Sequence, residues 1–234
     1  PMPIAAKDKF ERVISETKDA DIHYVIQQSS VRRSELNSED IKELEAFVKA
    51  TMEEENKEFK GIEISAYASP DGPDKLNERL SKQRKKTADQ YLAKVVGKTK
   101  MSKEDAQTLY NLKSTSEDWD GFKKLVEAST IEDKDLILRV LSMYSDPVVR
   151  EKEIKNISAT YKVLADDILP QLRRSDITVK VDKVGFSDEE ILDLIANNPD
   201  TLNVEEMLYG ATLVESMEEK AAIYKKATEN FEKC

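Results

Sequence analysis

Residues 62–73 read Ile62-Glu63-Ile64-Ser65-Ala66-Tyr67-Ala68-Ser69-Pro70-Asp71-Gly72-Pro73, and this stretch decides the fold. Up to Tyr67, apolar and polar residues alternate. A period of two predicts a strand with one buried face. Two prolines around Asp-Gly cannot continue a strand, so the chain must turn there. A long helix is then expected from about Asp74 to about Val95. Leu76, Leu80, Ala88, Tyr91, Leu92 and Val95 line its inner side.

Upstream, Ile22-His23-Tyr24-Val25-Ile26 is a β-rich run of strand length, in which His23 reads as an ordinary strand residue. Asn37-Ser38-Glu39-Asp40 reads as a helix start, with acids in the first turn where they suit the helix dipole. Ile41, Leu44, Val48 and Met52 give that helix one apolar face. It fades through Glu53 to Lys60, and Gly61 is expected to close it. Residues 7–17 are expected to form a short helix carrying Phe10, Val13 and Ile14. The first hundred residues thus read strand, helix, strand, helix, the pattern of crossovers onto one sheet.

Downstream, a helical stretch is expected from about Lys103 to Leu169. Trp119, Phe122, Leu125 and Val126 mark one amphipathic helix, and Leu136, Ile137, Val140, Leu141 and Tyr144 another. Trp119 and Phe122 read as core of these helices rather than as a glycan platform. Asp146-Pro147 is a cap followed by proline at the first helical position, and that helix is expected to run to Pro170. Asp176–Asp182 alternates as a further strand, which needs partners. After Gly185 three helical segments follow, Asp188–Asn197, Val204–Val214 and Glu218–Phe231. Leu208, Ala211, Tyr224 and Ala227 fall near the positions of a helix-pair repeat.

Lys and Arg number 37 against 47 Asp and Glu, a net charge of −10. Such an acidic chain is a poor non-specific nucleic-acid binder. Charged residues at 36% and aromatics at 6% favour solvated helices over a large all-β core. One cysteine, Cys234, and one histidine, His23, exclude an internal disulfide and a cysteine or histidine metal cluster. No apolar run approaches membrane-spanning length. Pro1-Met2-Pro3-Ile4-Ala5-Ala6 reads as a cut or processed end, so the missing signal peptide says nothing about compartment. There is no His-Glu-x-x-His, no Gly-x-Ser-x-Gly and no phosphate loop. Acid pairs such as Asp166-Asp167 diverge on a helix and make no acid/base couple. No enzyme and no cofactor are expected.

The segment Ile64 to Gly72, with Asn77 and Leu80-Ser81-Lys82-Gln83-Arg84, resembles the signature of OmpA-like, peptidoglycan-associating domains. Val31-Arg32-Arg33-Ser34-Glu35-Leu36 resembles that family's first loop, and Leu172-Arg173-Arg174-Ser175-Asp176-Ile177 its paired arginines entering the final strand. The resemblance covers roughly residues 20–96 and 170–184. It implies an α+β fold, a βαβα…β two-layer sandwich with a mixed sheet packed on helices. Residues 1–184 would be that domain, with a helical insertion at about 100–169. Residues 185–234 would be a helical, TPR-like segment, cut short.

The resemblance also implies a function: non-covalent binding of the diamino acid in a peptidoglycan stem peptide, in the periplasm of a Gram-negative cell and associated with its outer membrane. Arg84 matches the family's ligand-binding arginine, and a guanidinium there can fork onto a carboxylate. Asn77 matches the family's asparagine and Gly72 its turn glycine. Ala68 belongs to the expected binding set, and Arg173 and Arg174 either line the same pocket or pair with acids at the sheet edge. Ser69 stands where the family has its binding aspartate, and a serine cannot pair with an ammonium as a carboxylate does. Asp71 either turns inward to replace it or forms its own turn. Should Ser69 abolish binding, the alternative is a protein-interaction scaffold whose C-terminal helices hold envelope proteins.

Overall fold

In the computed structural model, which describes residues 7–97 and 108–231 (backbone alone for 158–160), the alternating stretch lies in strand β2, Lys57–Tyr67. Ile62, Ile64 and Ala66 are fully buried on one face. Strand β1 is Val13–His23, β3 Tyr110–Thr115 and β4 Arg174–Val184. The four form one sheet in the order β1-β4-β2-β3. β2 and β3 run parallel, from Ile62 opposite Tyr110 to Tyr67 opposite Thr115. β1 and β4 run antiparallel: Tyr24 N donates to Arg173 O at 2.7 Å and Thr178 Oγ1 to Asp19 Oδ1 at 2.5 Å. The protein is therefore α+β with a mixed four-stranded sheet.

Helix α1 spans Glu39–Glu53 and α2 Asp74–Val96, close to the lengths their apolar spacing predicts. They pack Ile41, Leu44, Val48, Ala88 and Leu92 against Ile22, Ile62, Ile64, Ile177 and Val179 of the sheet. Each such aliphatic side chain contributes about 1.5–3 kcal/mol on burial.

Several expectations fail. Residues 13–17 are strand rather than helix, because Val13 and Ile14 are consecutive residues on an exposed strand end and not one stripe of a helix; both are about half exposed. β1 stops at His23, since Gln27 takes a left-handed φ of 57° and turns the chain away. Gly61 does not close α1. It lies within β2, with the Lys180 side chain 3.9 Å from where its Cβ would sit. The stretch expected to be helical from Lys103 holds β3, whose polar alternation in Tyr-Asn-Leu-Lys-Ser-Thr carries too few apolar residues to announce a strand. Its start, 103–107, lies outside the described residues, as do residues 1–6 and Cys234.

After β3 come α3 (Trp119–Ala128), α4 (Lys134–Met143), α5 (Pro147–Asn156) and α6 (Ser158–Val163). The single helix expected from Pro147 to Pro170 breaks at Ile157, and a π turn at Leu164–Ile168 and a 3-10 turn at Leu169–Leu172 finish it. Asp146 Oδ1 caps α5 by accepting from Val149 N at 3.0 Å. Phe122, Val126, Ile137, Leu164 and Leu172 form a second core under these helices.

The chain divides into two compact units. Among the described residues, one holds 17–55, 59–97 and 108–181; the other holds 7–16, 56–58 and 182–231. The smaller unit contains α7 (Asp188–Asn197), α8 (Val204–Gly210) and α9 (Met217–Phe231). Reciprocal caps start α7 (Ser187 with Glu190) and α8 (Asn203 with Glu206). Gly210 sits where an added Cβ would be 2.3 Å from Ile195 Cδ1, so a side chain there would have to displace the end of Ile195. Phe10 stacks on Tyr209 at 4.3 Å, and the Arg12 guanidinium, paired with Asp188, lies 5.6 Å from the Phe10 ring centre.

Candidate functional site

The end of β2 and the start of α2 bracket the turn at residues 68–73. Backbone bonds hold that turn against the chain after β3: Ala68 N donates to Thr115 O at 3.1 Å, and Asp118 N to Ala68 O at 3.2 Å. Asn77 Nδ2 donates to Gly72 O at 3.0 Å. Gly72 needs no left-handed φ. Its need for a bare Cα comes from Asn77, whose Oδ1 would lie 3.2 Å from an added Cβ.

Arg84, on the first half of α2, is 1% exposed. Its Nε donates to Gln28 O at 3.0 Å and its Nη1 to Tyr67 O at 2.8 Å. The guanidinium lies 5.1 Å from the Tyr24 ring centre. Burial pushes its pKa down to about 10, with Arg173 adding to that and Tyr24 and Asp71 opposing it, so it stays charged at neutral pH. Nη2 has no hydrogen bond among the described residues and is not sealed off from solvent-accessible space.

Ser69, 5% exposed, and Asp71 face Arg173. Arg173 Nη2 lies 3.1 Å from Asp71 Oδ2, Arg173 Nε donates to Ser69 Oγ at 3.3 Å, and Ser69 Oγ donates to Asp71 Oδ1. Asp71 has thus turned inward. Ala68, Ser69, Asp71, Gly72, Asn77, Arg84 and Arg173 share one cleft of ≈ 30 Å³. A water needs roughly 10–15 Å³, so there is room for the end of a ligand and not for a ring. Two guanidiniums against one carboxylate give the cleft a net charge of 2 − 1 = +1, which suits a carboxylate.

Arg174 does not join this cleft. Its Nη1 lies 2.9 Å from Asp118 Oδ2 and its Nε 2.8 Å from Asp176 Oδ1, over the Tyr67 ring at 4.4 Å. The Asp176 contact lacks hydrogen-bond alignment, and Oδ1 is a buried acceptor without a donor. Asp118, 6% exposed, escaped sequence reasoning, although Asp118-Trp119-Asp120-Gly121 carries a cap signal. Its Oδ1 accepts from Gly121 N at 2.9 Å. Gln27 and Gln28 were equally unreadable, because a left-handed backbone at Gln27 brings the Gln28 carbonyl to Arg84.

Two predictions arise here. Burial, opposed by Arg174, raises the Asp176 pKa from 3.8 to about 6. A carboxyl whose pKa rises on folding stabilises the fold below about pH 4, and that stabilisation is lost as pH climbs through 6. Chemical denaturation should show that Asp176→Asn flattens this loss by about 1 kcal/mol, discounted for the third of the side chain open to water. Gln27→Gly should stabilise by about 0.5–1 kcal/mol, since glycine takes a left-handed φ at little steric cost but adds unfolded-state freedom. Gln27→Val should destabilise instead, and thermal melts of the pair check the sign.

No protein-family model matches the chain, and no curated protein sequence matches it.

Proposed function

We propose that this protein is a non-catalytic module that holds the carboxylate end of a diamino acid in a peptidoglycan stem peptide, through an OmpA-like arrangement of strand, turn and helix. One observation carries the reading: Arg84 and Arg173 line a single small cleft with only one carboxylate, Asp71. Arg84 Nη2 offers donors for an incoming carboxylate, and Asp71 supplies the acid that Ser69 lacks. The work would be anchorage of the outer membrane to the wall from the periplasm. No described helix is long and apolar enough to cross a membrane.

The intact chain should sediment with purified sacculi, and free diaminopimelate in millimolar excess should release at least half of it. Pelleting that the competitor leaves untouched would argue for a different mode of attachment.

A second reading has a specific observation behind it. Asp71 is already engaged by Arg173 and Ser69, so a ligand ammonium must share that acid. A scaffold that has lost its ligand would show the same closed chain. It would work instead through exposed apolar residues such as Met143, 64% exposed, and Val148, 70% exposed.

A further inference from the structure

A second, roomier cleft lies on the larger unit, apart from the one just described. It has a volume of ≈ 220 Å³ and is lined by Trp119, Asp120, Lys123, Leu138, Ser142 and Arg150, among others. Its floor is aromatic and aliphatic, and its rim is polar. Trp119 is half-buried and fixed: Nε1 donates to Glu117 Oε2 at 2.9 Å, Phe122 meets its ring edge-on at 5.7 Å, and Arg150 lies 5.7 Å from its ring centre. Arg150 is held in turn by Nη2 donating to Leu141 O at 3.1 Å. Asp120 and Lys123 are exposed. Ser142 Oγ already donates to Arg139 O at 2.7 Å, leaving its lone pairs free to accept.

The two clefts are linked. Asp71 lines the small one and also a narrow apolar gap floored by Phe122 and Leu164. Trp119 lines that gap and the large cleft.

The geometry points to the Trp119 cleft as a sugar subsite for the same wall polymer, with the helical insertion as its glycan-reading half. This rests on the stem-peptide reading above. A pyranose has an apolar C–H face for the indole and leucines and hydroxyl and amide groups for Asp120, Lys123 and Ser142, and the cleft offers both kinds of lining in about equal measure. At ≈ 220 Å³ the cleft falls below the roughly 300–1,000 Å³ of drug-sized sites and suits one ring. Expecting Trp119 to be core alone accounts for its contact with Phe122 but not for its place on this cleft.

Trp119 is the only tryptophan in the chain, so intrinsic fluorescence reports on this cleft. The intact protein is titrated with free stem peptide and with the same peptide carrying its N-acetylated disaccharide. The disaccharide-peptide should bind at least tenfold more tightly and change Trp119 emission, while the bare peptide leaves the emission unchanged. Ser142→Trp fills the cleft from an exposed position and Lys123→Glu reverses the rim charge. Each, judged by calorimetry, should erase the sugar's advantage and leave peptide affinity intact. Equal affinity for the two ligands, with silent fluorescence, overturns the sugar subsite and spares the stem-peptide reading. Binding of neither overturns both.

Discussion

Arg84→Met is expected to destabilise the larger unit by about 3–5 kcal/mol. The guanidinium makes two charge-assisted bonds to backbone carbonyls, of Gln28 and Tyr67, each typically about 1.5–3 kcal/mol. Methionine fills most of the volume but takes the guanidinium donors away from both carbonyls. Desolvation of the arginine offsets part of the loss, which keeps the total below the sum of the two bonds. Urea unfolding measures it. A loss under about 1 kcal/mol would mean that water reaches those carbonyls and that Arg84 does not organise the turn. Arg84→Lys should fall between, since an ammonium cannot reach two diverging carbonyls with a planar fork.

Asp71→Asn is the second large effect, at about 2–4 kcal/mol. Asp71 and Arg173 are both nearly buried, with side-chain exposures of 13% and 9%, and removing one charge of such a pair leaves the other uncompensated. The cleft charge rises from +1 to +2, with Arg84 and Arg173 repelling. Anions should therefore stabilise the variant more than the parent. In thermal melts, sulfate or a small carboxylate should recover part of the lost stability through binding to the folded state alone. A variant as stable as the parent, or one indifferent to anions, would contradict the charge count on which the site rests.

The sheet and its first two helices were legible because they are strongly periodic. Ile62-Glu63-Ile64 alternates without a break, and Ile41, Leu44 and Val48 keep one helical face. β3 was not legible, because an edge strand beside β2 needs few apolar residues: Leu112 is partly exposed even in place. The cleft was half legible. The turn residues, Asn77, Arg84 and Arg173 lie together, a grouping that only the family resemblance had implied, whereas Arg174 leaves for Asp118 because an alternating strand sends neighbours to opposite faces. Arg84 was expected to face a ligand. Two of its five donors instead serve the carbonyls of Gln28 and Tyr67, a role set by a left-handed turn at Gln27 that no pattern in the chain encodes.

If the cleft accepts one carboxylate from a wall peptide, as proposed, binding should depend on that carboxylate. Calorimetric titration of the intact chain tests it most directly, with a diaminopimelate-bearing stem peptide run beside the same peptide amidated at that residue's free carboxylate. The account predicts saturable one-to-one binding to the acid form, weakened at least tenfold by amidation, the equivalent of about one charge-assisted hydrogen bond. No saturable heat, or equal affinity for the two peptides, would contradict it.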